Sequence, residues 1–389
     1  MQNFTFQNAT KVIFGKGTED TVGAEVKKYG KKVLLHYGSG SIKKTGLYDK
    51  VVKSLKSAGV DFIELGGVKP NPRLSLVREG IDLCRKNGVD FILIVGGGSA
   101  IDSAKGIAAG VNYNGDVWDL YMRKGTATTA LSLGVILTIP AAGSETSQFS
   151  VVTNEEGWLK RDIGYEFIRP QFAILNPELP FTLPAYQVAA GATDIMAHLM
   201  ERYFTNVRNV EFSDRLIEAS LVTMINNVPK VLKNPQDYDA WAEVMWTGTQ
   251  AHSDLLGMGR IGDWASHGIE HEISAIYDIA HGAGLAIVFP AWMKYVMKHD
   301  VDIFVQFAVR VFKVEQDFHN PEATALAGIA KLEDFFRSIG MPVRFSDAGL
   351  GDERFEEMAD KCTSGDTQKA GNFVQLGQDD VYKIYQLAK

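Results

Sequence analysis

The chain has 389 residues, 46% of them hydrophobic and 22% charged, with a formal net charge of -7 and a pI near 5.7. That length exceeds the usual ceiling for one hydrophobic core, so two domains are expected, and the composition excludes disordered, collagen-like and coiled-coil classes. The acidic balance, with no Lys/Arg run, leaves no basic face for nucleic acid or for an anionic membrane surface.

The N-terminal MQNFTFQNATKVIFG lacks the basic and long apolar regions of a signal peptide, and no stretch approaches the ~18 apolar residues of a membrane span. Secretion and membrane insertion are therefore not expected. Up to about residue 180, short apolar runs alternate with amphipathic segments: KKVLLHY, LYDKVVKSLKSAG, DFIEL, LSLVREGIDLCRKNG and DFILIV. This is strand and helix in alternation. Runs apolar at consecutive positions, Phe91 to Val95 and Val135 to Ile139, suit strands buried on both faces of a parallel sheet. Residues 1–180 are thus expected to form a doubly wound α/β domain.

Two glycine loops interrupt this pattern. Gly38-Ser39-Gly40-Ser41 follows the strand LLHY, and no acidic residue stands at that strand end to chelate the ribose of NAD or repel the extra phosphate of NADP. Lys43 and Lys44, placed to receive that phosphate, favour NADP(H) over NAD(H), although a Lys pair at a helix start also serves as a solvated face. In FILIVGGGSAIDSAKGIAAG a buried strand leads through Gly96, Gly97 and Gly98 into a helix opened by Ser99. Glycines admit a ligand close to the backbone, and free N–H groups at a helix start attract phosphate. The spacing matches neither GxGxxG nor a P-loop. Ser99 and Asp102 are expected to form a capping box at this helix.

Four prolines, Pro170, Pro177, Pro180 and Pro184, crowd into fifteen residues and mark a boundary. Beyond it strand-like runs vanish, and VAAGATDIMAHLMERYF and ATALAGIAKLEDFFRSIG carry helical spacing. Residues 181–389 are expected to be almost entirely helical. No repeat or low-complexity tract is present. Cys84 and Cys362 fit no CxxC spacing, which argues against disulfide frameworks and thiolate metal sites and suits a reducing cytoplasm.

The histidines cluster, with His267, His271 and His281 falling within fifteen residues. Asp194 and His198 stand four apart on a predicted helix, on one face, a spacing that suits chelation as well as a plain hydrogen-bonded pair. Were 267–281 one helix, its outer histidines would stand about 21 Å apart and could not share an ion. The metal reading therefore demands a break, and Asp278 is the expected N-cap of a new helix. Three imidazoles and one carboxylate suit Fe(II), Zn, Mn, Co or Ni.

Together, GGGSAIDSAK, TIPAAGSE, the Asp194/His198 pair and WASHGIEHEISAIYDIAHGAG resemble the iron-containing alcohol dehydrogenases, and most nearly their NAD(P)H-dependent butanol dehydrogenase and aldehyde reductase branch. The resemblance covers essentially the whole chain. It implies a Rossmann-like N-terminal domain, a helical C-terminal domain with the active site in the cleft between them, and a homodimer. It assigns one divalent metal, Fe(II) or Zn foremost, to Asp194, His198, His267 and His281. It places His271 beside the nicotinamide, where a proton relay and a structural hydrogen bond are both open. Gly38, Ser41, Gly97, Gly98, Ser99, Thr138 and Lys160 fall on its cofactor-contacting positions, with Asn71 a weaker candidate.

The chain departs from the family pattern at GSGS for GGGS, at Ala142 for Thr, at Ser147 for Asn and at His252 for Asn. For His252 a helix-packed imidazole stands against a role in the pocket. None touches the metal set. The function expected is metal-dependent hydride transfer between NAD(P)(H) and a neutral, partly apolar alcohol or aldehyde. The rivals are a zinc-type polyol dehydrogenase, a hydrolase using a metal-bound water, for which two glycine loops have no use, and a non-catalytic nucleotide-binding regulator.

Overall fold

Runs of consecutive apolar residues form the strands, and the computed structural model describes all of residues 1–389. The strands are Lys11–Phe14 (β1), Lys32–Gly38 (β2), Asp61–Val68 (β3), Phe91–Gly97 (β4), Ser132–Ile139 (β5), Phe149–Asn154 (β6), Leu159–Gly164 (β7) and Phe172–Leu175 (β8). Six of them build one sheet in the order β1-β8-β5-β4-β2-β3, with every neighbouring pair parallel. β6 and β7 form a separate antiparallel hairpin. β4 is buried at every position, as a strand covered on both faces must be.

Gln7–Thr182 form one compact unit. Its main helices are Leu47–Ser57 (α1), Leu74–Asn87 (α2) and Gly98–Val111 (α3). α2 and α3 approach closely because both carry glycine at the contact. A Cβ on Gly80 would come within 2.3 Å of Ile107, and one on Gly110 within 2.2 Å of Ile81. Because the chain runs from β2 outward to β3 and then back across to β4, the strand order reverses between β2 and β4. Ligands of doubly wound sheets bind at such a switch point, beyond the carboxyl ends of the strands. Both glycine loops lie there.

The second unit comprises Leu183–Lys389 and Met1–Phe6. Its helices are Ala185–Tyr203 (α4), Glu211–Lys233 (α5), Tyr238–Ala251 (α6), Ala265–Tyr277 (α7), His281–Val296 (α8), Val301–Phe312 (α9), Pro321–Ser338 (α10), Phe355–Thr363 (α11) and Gln378–Leu387 (α12). Beyond β8 only an isolated bridge between Ala370 and Leu376 is strand-like. Phe204 centres the aromatic core, stacked on Phe304 at 4.6 Å and edge-on to Trp292 at 5.4 Å. No helix is long and apolar enough to cross a membrane.

Two local expectations are corrected. Ser99 does not cap α3, which starts one residue earlier with Gly97 at the N-cap and no side-chain cap. Asp102, half-buried, instead accepts hydrogen bonds from Ser144 Oγ at 2.6 Å and Val151 N at 3.1 Å, two donors brought to it from outside the helix. The break before His281 exists, but Asp278 is not its N-cap. Asp278 closes α7 in the left-handed region at φ 54°, where Asp is tolerated, and α8 begins after Ala280.

Candidate metal centre and nucleotide loops

In the α/β unit six of the residues expected to contact a cofactor, Gly38, Ser41, Gly97, Gly98, Ser99 and Thr138, lie at or just beyond the carboxyl ends of β2, β4 and β5. Gly38 ends β2 at an irregularity in its pairing, and Gly40, at φ 118°, turns the chain into the helical turn begun by Ser41. Gly97 and Gly98 end β4 and open α3, with Ser99 next. A Cβ on Gly97 would meet the Ile139 side chain at 2.8 Å, so no larger residue fits there. Thr138 is the next-to-last residue of β5.

Lys160 on β7 and Asn71, 89 positions away, are both buried, and Lys160 Nζ donates to Asn71 Oδ1 at 3.1 Å. Asn71 holds the left-handed region at φ 51°, which asparagine tolerates better than most residues. Lys43, expected near the ribose phosphate, is otherwise engaged. Its Nζ lies 3.6 Å from Glu64 Oε2 and over the rings of Tyr37 and Tyr48, both of which donate hydroxyl hydrogen bonds to Glu64. This exposed lysine is thus paired with a carboxylate on β3, a strand the sequence did not place beside it.

In the helical unit, α4 carries Asp194 and His198, α7 carries His267 and His271, and His281 is the first residue of α8. The break between α7 and α8 folds His281 back, so that the His267 and His281 ring centroids stand 5.3 Å apart. Asp194, His267 and His281 each offer one ligand atom, and these atoms all lie within 4.8 Å of one another. His198 stands beside this trio. Its Nδ1 lies 3.0 Å from Asp194 Oδ1 and hydrogen-bonds the Asp194 carbonyl at 2.9 Å, and its ring is 4.5 Å from that of His267.

Two buried carboxylates hold the imidazoles from behind. Glu201 Oε1 accepts from His267 Nδ1 at 2.8 Å, and Glu270 accepts from His281 Nδ1. Each bond fixes the ring and turns Nε2 toward the centre, the usual support for a metal-ligating histidine. Asp194 Oδ1 and His267 Nε2 are buried without a hydrogen-bond partner. A nitrogen lone pair and a carboxylate oxygen left so are costly unless a cation joins them, and the donor set therefore fits a divalent ion. Burial opposes ionisation of Asp194, but the surrounding imidazoles of His198, His267 and His281 hold its carboxyl well below the ordinary range. Burial likewise opposes charge on His267, yet Asp194 and Glu201 raise its pKa to about 9, so a divalent ion would take the place of a proton on Nε2.

The HGAG sequence acquires a structural reason. A Cβ on Gly282 would lie 1.9 Å from the Ala190 carbonyl oxygen of α4, and one on Gly284 would lie 2.4 Å from the Glu270 carboxylate. Glycine lets α8 approach α4 and leaves room for the carboxylate behind His281. Trp264, at φ 68°, donates its backbone N–H to Glu201 Oε2 at 2.6 Å. Its indole lies 5.3 Å from His267 and over the Arg202 guanidinium at 4.8 Å. His252 is buried at the end of α6 with its ring 4.5 Å from His198, so it borders the centre. His271 is half-buried, 5.6 Å from His281 between ring centroids.

Glu201, Glu270 and Trp264 were not singled out from sequence. Glu201 continues the face begun by Asp194 and His198, at seven residues from the first, and that spacing was the available signal. Nothing local in the sequence ties Glu270 to His281.

Residues 9–177 match the iron-containing alcohol dehydrogenase family, and residues 188–389 match the C-terminal region of the Fe-containing alcohol dehydrogenase family. The chain is 46% identical over 385 residues to the probable NADH-dependent butanol dehydrogenase 2 of Bacillus subtilis, covering 99% of each. It is 35% identical to the NADPH-dependent aldehyde reductase YqhD of Escherichia coli, covering 100% of each. Its fold superposes with a TM-score of 0.97 on the crystal structure of NADH-dependent butanol dehydrogenase A from Thermotoga maritima, at 40% identity and covering 100% of this chain and 99% of that one.

Proposed function

The chain belongs to the iron-containing alcohol dehydrogenase family and is an alcohol/aldehyde oxidoreductase, and from that premise we propose that it interconverts short to medium primary alcohols and aldehydes, with butanal the representative substrate. The observation that carries the reading is the convergence of Asp194, His267 and His281 on one point, with two of their ligand atoms buried and unbonded. Asp194, His198, His267 and His281 are the proposed metal ligands. A divalent ion there would supply a Lewis acid for the alcohol or aldehyde oxygen, with hydride exchanged with nicotinamide.

The protein's own groups do the rest. Glu201 and Glu270 keep the His267 and His281 rings oriented through their Nδ1 atoms. Glycines 38, 97 and 98 admit the nucleotide backbone, while the N–H groups at the start of α3 attract its phosphates. Ser41, Ser99, Thr138, Lys160 and Asn71 complete the proposed contacts. We assign His271 to the proton path between substrate oxygen and solvent, given its half-buried place next to His281.

Both nucleotides are proposed as cofactors. The end of β2 carries no acid to repel the extra phosphate of NADPH, which favours acceptance. Of the two lysines on which a preference for NADP(H) rests, Lys43 pairs with Glu64 at 3.6 Å, which leaves the choice between the nucleotides to measurement. A homodimer in the cytoplasm belongs to the same proposal, and sedimentation of the purified protein tests the assembly.

The test is to strip the protein of metal, reload it separately with Fe(II), Zn, Ni or Co, and follow NADH and NADPH oxidation with butanal and with glyceraldehyde. Metal-dependent turnover of butanal is expected. Preference for the polyol substrate would move the chain to the polyol dehydrogenases, and failure to bind either nucleotide would remove the reading altogether.

A further inference from the structure

Among the largest side chains with no accessible surface, Lys105 is the one that carries a charge, and the proposed function has no use for it. It lies on α3, seven residues beyond the start of the helix, and is wholly inaccessible. Its Nζ donates to the Ser144 carbonyl at 2.7 Å, Ser144 Oγ at 2.9 Å, the Ser147 carbonyl at 2.8 Å, Ser147 Oγ at 3.2 Å and the Phe149 carbonyl at 2.8 Å. An ammonium has three protons, so five oxygens at these distances share them around a point charge. Carbonyl and hydroxyl oxygens closing on a monovalent cation in place of its water is how potassium is held in protein. Asp102, on the same face of α3, accepts from Ser144 Oγ at 2.6 Å and Val151 N at 3.1 Å and supplies the compensating charge.

The oxygens of this cage all come from the segment between β5 and the start of β6. The same segment places Ala142 against the start of α3, where a Cβ added to Gly98 would lie 3.4 Å from that of Ala142. The height of the segment above Gly98 therefore sets the space over the proposed phosphate cradle. We propose that Lys105 is a positioning residue acting as a tethered monovalent cation, and that its cage, once emptied of the side chain, is a binding site for free ammonium-type or potassium-sized cations. The effect on the nucleotide rests on the reading of α3 as the nucleotide helix, whereas the cage itself does not.

Lys105→Ala removes the three carbons and the nitrogen beyond Cβ, which is the size of n-propylammonium. The variant is expected to bind NADH more weakly, roughly tenfold or more as a lost charge-assisted network implies, with metal content unchanged. NADH affinity, KM for NADH and melting temperature are then read with n-propylammonium, ammonium, potassium, sodium or tetramethylammonium at equal ionic strength. Recovery is expected with n-propylammonium, less with ammonium and potassium, and none with tetramethylammonium. Lys105→Met, which fills the stem's space without charge, should stay impaired in every salt.

Undiminished NADH binding by Lys105→Ala, or impairment indifferent to the cation, overturns the proposal. Should Lys105→Ala not fold, its soluble yield on refolding with and without n-propylammonium is the reading, and equal yields overturn it. If the wild-type protein binds neither nucleotide, the function proposed above fails, while cation-dependent melting of Lys105→Ala still decides whether the cage exists.

Discussion

Oε1 of Glu201 lies 2.8 Å from Nδ1 of His267 and also accepts the His267 backbone N–H at 3.0 Å, so one carboxylate fixes both the ring and the helix turn that carries it. Glu201→Gln keeps an acceptor but removes the charge that raises the basicity of the ring. Metal affinity should fall about 10- to 100-fold, as measured by competition with a chromogenic chelator, and the melting temperature of the metal-free protein should fall as well, because the new NH2 group must face one of the N–H donors that the carboxylate accepted from. Unchanged affinity would assign Glu201 to packing alone.

Removing a proposed ligand should act more severely than removing its support. His267→Ala is expected to lose both the metal, by elemental analysis, and turnover of butanal, while still binding NADH, because the glycine loops lie in the other folding unit. A metal-free variant with full activity would point to a role for the chain other than metal-dependent oxidoreduction.

Gly282 tests the packing that brings the centre together. Its Cβ position lies 1.9 Å from the Ala190 carbonyl oxygen, and backbone on α4 yields less readily than a side chain. Gly282→Ala should cost about 1–3 kcal/mol by denaturant unfolding and reduce metal retention with it. A variant as stable as the parent would show that α8 can move away from α4 without consequence.

Lys160→Met should separate the two halves of the chemistry. Loss of the bond to Asn71 is expected to weaken NADH binding roughly 10-fold with the metal content intact, since Lys160 and Asn71 belong to the α/β unit. Loss of metal instead would break the assignment of nucleotide and ion to different units.

His36 gives a pH dependence with a definite sign. Its ring is fully buried, with Nδ1 against the Leu65 carbonyl at 2.9 Å and Nε2 against Ser103 Oγ at 3.0 Å. The carbonyl can only accept, so Nδ1 carries a proton. Burial lowers its pKa to about 4 from 6.5, with the bond to Leu65 opposing the shift. Between these values the unfolded chain binds the extra proton and the folded chain does not, so stability is retained above pH 6.5 and lost as pH falls toward 4. The loss approaches about 3 kcal/mol at the acid end. In His36→Gln, urea midpoints compared at pH 7.5 and 4.5 should show a smaller drop than in the parent.

Much of the architecture was legible locally. β4 announces itself because a strand covered on both faces must be apolar at every position, and Phe91–Val95 is. The helical half follows from the 3.6-residue spacing of segments such as α4. Asp194 and His198 were legible for the same reason, since four residues of helix bring side chains to one face. The need for a break before His281 came from length alone, because no continuous helix can deliver His267 and His281 to a single ion. How the break is made was not legible. Asp278 has the chemistry of either helix end, and only its left-handed backbone shows that it closes α7.

What the sequence by itself determined is therefore the set of elements, the two glycine loops and the residue types available to an ion, all of them consequences of spacing within 10 to 20 residues. The tertiary structure decided which groups stand behind those residues. Glu201 reaches His267 across 66 positions, and Lys160 reaches Asn71 across 89. Lys105 reaches Ser144 across 39, and Glu64 pairs with Lys43 from a neighbouring strand. The first three pairs are buried charges finding their partners and the fourth is an exposed pair set by which elements lie side by side, and both burial and that adjacency are properties of the packed fold that no local spacing encodes.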